Sequence, residues 1–94
     1  MKTIILIPIY NDRESLTKLI ENINSEIEGI NSEISVVVIN DASSQQIIDE
    51  YQNTENINSI KIINMKENRG HARCIASGLK YIFEKKEFDY VIPM

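Results

Sequence analysis

With 94 residues, 43% of them hydrophobic and 26% charged, the chain has the composition of one small globular unit or a piece of a larger one, and not of a disordered segment. Fourteen acidic against ten basic residues give a net charge of −4, and the basic residues are scattered, which argues against a nucleic-acid footprint. A chain of this length removes only roughly 60–65% of its unfolded surface from water on folding, so its margin of stability is thin.

The N-terminus, Met1-Lys2-Thr3-Ile4-Ile5-Leu6-Ile7, starts like a secretion signal, but Pro8 and the polar run Asn11-Asp12-Arg13-Glu14 interrupt it too early. No stretch approaches the ~18–20 apolar residues of a membrane span. These features point to a cytoplasmic protein, or to the cytoplasmic part of something longer.

Thr3 to Ile9 reads as a first strand, apolar throughout. Asn11 is placed to cap a helix with Glu14 three residues on, a capping-box arrangement. Leu16, Leu19, Ile20, Ile23, Ile27 and Ile30 then recur at helical spacing as a core stripe, and Gly29 and Asn31 fit its stop. Ile34 to Ile39 forms a second strand, within the run Ser35-Val36-Val37-Val38-Ile39. Unbroken β-branched character without in-out alternation is what a parallel strand covered on both faces shows.

That run stops abruptly at Asn40-Asp41-Ala42-Ser43-Ser44. The polar residues would sit at the carboxyl end of the sheet, where open α/β folds place their ligands. Ser43 or Ser44 would cap a short helix carrying Ile47, Ile48 and Tyr51, followed by a loop from Asn53 to Asn58. Ser59 to Met65 is a shorter, more mixed third strand nearer an edge. The longest helix runs from about His71 to Lys86, with Ala72, Ile75, Ala76, Leu79, Ile82 and Phe83 on one face. Cys74, the lone cysteine, cannot form an internal disulfide and reads as a packed core thiol in that helix. Phe88 to Pro93 is a fourth strand.

Alternating strands and helices imply a Rossmann-like parallel sheet with right-handed crossovers. A domain rarely terminates on a bare strand, so the chain is expected to be incomplete at its C-terminus. The first strand-to-helix turn, Pro8-Ile9-Tyr10-Asn11-Asp12, has no glycine, which rules out a dinucleotide pyrophosphate approaching the backbone as it does over G-x-G-x-x-G. A proline, an aromatic ring and a carboxylate stand there instead, able to hold a base by stacking and hydrogen bonding.

Pro8-Ile9-Tyr10-Asn11-Asp12 resembles the P-x-Y-N-E opening of family 2 glycosyltransferases, and Asn40-Asp41-Ala42-Ser43 resembles their D-D-G-S turn. Asn68-Arg69-Gly70, with Gly78-Leu79 eight residues further on, is similar to the family's N-x-G…G-L segment. The three motifs fall in the family's order, and the resemblance covers the whole chain. It implies a GT-A fold in which residues 1–94 bind the nucleotide of a nucleotide-diphosphate sugar. Pro8, Tyr10 and Asp12 would line the base and ribose pocket, Asp41 would accept a hydrogen bond from base or ribose, and Ser43 would contribute less. Arg69 would lie near the diphosphate, whose geometry a guanidinium matches. His71 and Arg73 are further candidate neighbours of that site.

Three positions depart from the family pattern. Asn40 replaces an aspartate, Asp12 a glutamate and Ala42 a glycine. The family's Asp-x-Asp metal motif would begin where Phe88-Asp89-Tyr90-Val91-Ile92-Pro93-Met94 stops, and Asp89 itself reads as a strand start. A divalent metal, Mg or Mn, is therefore expected with ligands beyond Met94, as is the catalytic base, leaving no catalytic or metal residue in this chain. The resemblance implies sugar transfer with inversion to an acceptor hydroxyl, saccharide or lipid-linked, in the synthesis of cell-envelope polysaccharide or glycolipid. That places the protein in the cytoplasm, including the membrane's cytoplasmic face.

Other classes fit less well. A phosphoacceptor receiver wants acidic residues where Pro8-Ile9-Tyr10 stands, and a nucleotidyltransferase wants a glycine-rich basic loop after the first strand. The alternative that remains is a non-catalytic nucleotide-binding or scaffold module derived from a transferase half. Asp12 and Asp41 also have a structural reading, as caps on helix N-termini.

Overall fold

A computed structural model of the chain describes residues 2–41, 54–66, 70–85 and 88–94. In chain order it contains β1 (Lys2–Ile9), α1 (Arg13–Glu26), β2 (Glu33–Asn40), β3 (Ser59–Asn64), α2 (His71–Lys85) and β4 (Tyr90–Pro93). The strands form one sheet in the order β3-β2-β1-β4, parallel at every pairing. This is the Rossmann-like α/β arrangement expected from the alternation. The short helix expected around Ile47, Ile48 and Tyr51 lies outside the described residues.

The two most apolar strands take the centre of the sheet, and their side chains divide cleanly between its faces. Ile5, Ile7 and Ile9 of β1 with Ile34, Val36 and Val38 of β2 pack against Leu16, Ile20 and Ile23 of α1. On the other face Ile4 and Leu6 with Val37 and Ile39 pack against Cys74 and Ile82 of α2. Period-two alternation sends neighbours to opposite faces, and both faces are covered, so the strands need apolar residues throughout. Leu6, Val36 and Val38 are fully buried, each stabilising the fold by roughly 1.5–3 kcal/mol relative to exposure. The edge strands β3 and β4 are shorter and more exposed.

The β1-to-α1 connection departs from expectation by one residue. Asp12, not Asn11, is the N-cap of α1, its carboxylate accepting from the Ser15 N–H at 3.4 Å. Asn11 instead occupies the left-handed region at φ 51°. Asparagine tolerates that conformation better than most residues, so it makes the sharp turn that this glycine-free segment needs. At the other end the helix stops at Glu26, and Gly29 at φ 82° turns the chain away. Ile30 therefore leaves the apolar stripe and is 52% exposed, contrary to its helical spacing.

The buried line of α2 is also rotated from the expected one. Cys74, Gly78 and Ile82 face the sheet, while Ala72, Ala76 and Phe83 are exposed. The cause is Gly78. A Cβ built there would lie 2.5 Å from Leu6 Cδ1 and 3.1 Å from Ile39 Cγ1, so the helix sits on the sheet at its one side-chain-free position. Phe83 turns outward to meet Phe88 edge-to-face, with ring centroids 5.2 Å apart.

Two polar anchors complete the frame. Asn24, buried on α1, accepts from the Asn56 N–H at 2.7 Å and pins the turn before β3, where Ile57 joins the α1-side core. Asp89 and Lys2 exchange hydrogen bonds of 2.7 Å, side chain to backbone and backbone to backbone, which starts β4 beside β1. Among the described residues no helix is long and apolar enough to cross a membrane.

Candidate functional site

β1 and β2 end side by side, because their register pairs Ile9 with Asn40 and the Asp41 N–H still donates to the Ile9 carbonyl at 2.8 Å. That last rung sets Asp41 beside Tyr10. Pro8, Ile9, Tyr10, Asp41 and Cys74 line a hollow of about 90 Å3 there. A second hollow of about 260 Å3 shares Pro8, Ile9 and Tyr10 and extends past Asp12 along α1. The structure thus brings together four of the six residues singled out from the sequence, with Pro8 and Tyr10 common to both hollows. Ser43 and Arg69 lie outside the described residues.

The four differ in how much of each is committed to the fold. Tyr10 is 53% exposed at the strand end, an aromatic face open to a partner. Asp12 is exposed and holds the N-terminus of α1, where the helix dipole favours its charge. Asp41 is only 4% exposed and is the one buried charged side chain among the described residues. A buried carboxylate is costly unless hydrogen-bonded. Its Oδ2 accepts from the Gly70 N–H at 2.9 Å, and Cys74 lines the same hollow. Asp41 therefore caps α2 from across the sheet. Gly70, at φ 83°, takes a left-handed conformation that presents this N–H, which accounts for a glycine at that position.

Cys74 is fully buried. Burial first, then the neighbouring Asp41 carboxylate with its negative charge, push its thiol up to about 11 from an ordinary 9.0. It is a neutral thiol in the wall of the hollow and not a nucleophile. The sequence placed it correctly in the core of α2, but no sequence signal connects it with Asp41, which depends on how the helix is rotated.

Asn40 points to the opposite face from Asp41. Its Nδ2 donates to Asn64 Oδ1 at 2.9 Å, joining the ends of β2 and β3. Asn64 had no sequence signal. Arg73 lines a separate hollow with Met65, Ala76 and Ser77, so it is not gathered with Tyr10 and Asp41. Among the described residues no group of three or more His, Cys, Asp or Glu could hold a metal ion. Asp12 and Asp41 are each engaged in capping, and the described residues do not form a site fitted to a divalent cation.

A further hollow, of about 300 Å3, lies at the opposite end of the sheet against Lys2, Glu33, Ser35, Ser59 and Lys61. It is larger, but it mixes both charges on the amino ends of the strands, away from the end at which parallel sheets bind ligands.

The glycosyl transferase family 2 model matches residues 4–94, and the chain belongs to that family, whose activity is glycosyl transfer. No curated protein and no solved structure matches the chain significantly.

Proposed function

We propose that the carboxyl ends of β1 and β2 bind the nucleoside diphosphate portion of a nucleotide-sugar donor, and that residues 1–94 are the donor-binding part of an inverting glycosyltransferase. The observation that carries this reading is the pairing of an exposed aromatic ring, Tyr10, with a buried carboxylate, Asp41, in one hollow at the functional end of a parallel sheet. A base stacks on Tyr10. Asp41, an acceptor only, takes a hydrogen bond from an N–H or ribose hydroxyl of the ligand. Pro8 stiffens the floor, and Asp12 offers a second acceptor beside it. Ser43 and Arg69 are assigned by resemblance, Arg69 to the diphosphate.

In the transfer itself an acceptor hydroxyl attacks the anomeric carbon from the face opposite the leaving nucleoside diphosphate, inverting the centre. A base takes the hydroxyl proton, and a divalent cation would supply positive charge to the leaving diphosphate. No described residue of this chain is assigned to either function. The 94-residue chain is accordingly expected to bind donor nucleotide without transferring sugar.

Titration with uridine, guanosine and thymidine diphosphates by calorimetry tests the binding. Tyr10→Ala should weaken it by about 1–3 kcal/mol, the usual worth of base stacking on an aromatic side chain. Equal affinity of wild type and Tyr10→Ala would reject the site. The second reading, a binding module without transfer in any context, is favoured by Asn40, whose amide is spent on Asn64 where the family carries an aspartate. Detection of turnover in the native protein excludes it.

A further inference from the structure

On the α2 side of the sheet, β1, β2 and β3 set their side chains in rows matched by register. Leu6, Val37 and Lys61 form one row; Ile4, Ser35 and Ser59 form the next toward the amino ends, and Lys2 and Glu33 the last. Period-two alternation keeps all of them on the face that carries Ile4, Leu6, Val37 and Ile39. α2 rests on that face through Gly78, against Leu6 and Ile39, nearer the carboxyl ends. The amino-end corner is left as the hollow of about 300 Å3, with Ile4 and Val37 buried in its floor and Glu33 and Lys61 toward opposite ends. Its frame is fixed, since the Asn58 N–H donates to the Ile34 carbonyl at 2.7 Å and holds the start of β3 against β2.

We propose that this hollow binds a small zwitterion whose ammonium and carboxylate are separated by a short chain, as in a dipeptide or an ω-amino acid. Among the described residues neither the Glu33 carboxylate nor the Lys61 ammonium has an ion-pair partner, whereas Lys2 in the same lining has an interaction of its own. The register sets the Glu33 and Lys61 Cα atoms about 14 Å apart, from four residues at ~3.3 Å and one strand at ~4.8 Å. A ligand that meets both must therefore carry its charges at the two ends of a chain. An anion would satisfy Lys61 and be repelled by Glu33, and a cation the reverse. The zwitterion satisfies both, with the Ser35 and Ser59 hydroxyls as further partners and Ile4 and Val37 as an apolar bed for the connecting chain. The same mixture of charge makes the hollow unsuited to a nucleoside diphosphate. The site stands independently of the donor-binding reading, which concerns the opposite end of the sheet.

The test titrates the protein with glycylglycine, 6-aminohexanoate, hexanoate and hexylamine while backbone amide shifts are followed. At least one zwitterion should give saturable shifts at Glu33, Ser35, Ser59 and Lys61, and 6-aminohexanoate should bind at least about fivefold tighter than either singly charged analogue. Tighter binding of glycylglycine assigns a peptide ligand, and tighter binding of 6-aminohexanoate an aliphatic one. Both charged side chains are exposed, so Glu33→Gln and Lys61→Met should keep the melting temperature of wild type. Glu33→Gln should weaken 6-aminohexanoate and hexylamine but not hexanoate, and Lys61→Met should weaken 6-aminohexanoate and hexanoate but not hexylamine. A loss of fold alone would not divide the ligands by charge in this way. No saturable shift with either zwitterion, shifts centred elsewhere, equal affinity for hexanoate and 6-aminohexanoate, or variants that bind all four as wild type does overturns the proposal.

Discussion

Replacing Gly78 by alanine sets two known effects against each other. Alanine is the better helix former by about 1 kcal/mol, and on propensity alone Gly78→Ala in the middle of α2 should stabilise the protein. The new Cβ, however, would lie 2.5 Å and 3.0 Å from the two methyls of Leu6 and 3.1 Å from Ile39 Cγ1. Leu6 has no exposed surface and Ile39 almost none, so neither can move into solvent. Either α2 lifts from the sheet, loosening Cys74 and Ile82, or Leu6 leaves its rotamer. Overpacking of this kind costs typically 1–3 kcal/mol, and because Leu6 and Ile39 are enclosed on all sides, we place it near 2–3. After the propensity gain the net loss is about 1–2 kcal/mol, a fall in melting temperature of roughly 4–16 °C for a domain this small. Urea and thermal unfolding followed by circular dichroism measure it. The double variant Leu6→Val/Gly78→Ala should lose less than the sum of its single variants, because removing a methylene makes room for the Cβ. A Gly78→Ala protein as stable as wild type or more so would refute the claim that this glycine sets the approach of α2 to β1.

The other perturbations test separate parts of the frame. Asp12→Ala removes the cap of α1 and should cost about 1 kcal/mol in urea unfolding, with Asp12→Asn costing less. At Asn11, φ 51° predicts that Asn11→Gly is close to neutral while Asn11→Ala loses about 1 kcal/mol; the reverse order would place that residue in another conformation. The Cys74 thiol titrates near 11 when folded and near 9.0 in the ordinary state, so the folded protein holds its proton more tightly. That contribution is complete below pH 9 and declines as pH rises from 9 towards 11, because the unfolded chain gains a thiolate that the folded one does not. The stability difference between wild type and Cys74→Ser should therefore narrow or invert between pH 8 and pH 10.5, and a difference independent of pH would contradict the buried thiol.

Much of this fold was legible because its physics is local. A strand such as Val36-Val37-Val38-Ile39, apolar at every position, announces cover on both faces, and α1 and α2 do supply it. The polar stop at Asn40-Asp41 marked the end of the sheet where Tyr10 and Asp41 meet. What failed did so for reasons that periodicity cannot carry. Phe83 and Ile30 are apolar at helical spacing, yet Phe83 faces outward because Gly78, a residue without a side chain to count, defines the contact line. Ile30 is exposed because a left-handed glycine ends the helix before it. Asp12 caps α1 where Asn11 was expected to, since either can cap, and the positive φ of Asn11 separates them. The bond from Gly70 to Asp41 joins residues 29 positions apart, and its geometry follows from the placement of α2, which no pattern in the chain records.

If ligand binds at the carboxyl ends of β1 and β2, backbone amide shifts on titration with nucleoside diphosphate will map to that end of the sheet. Saturable shifts are expected at Tyr10, Asn11, Asp41, Gly70 and Cys74, with little change at Lys2, Ser35 and Lys61. Shifts concentrated at those last three residues, around the hollow at the opposite end of the sheet, would contradict it, as would the absence of any saturable response.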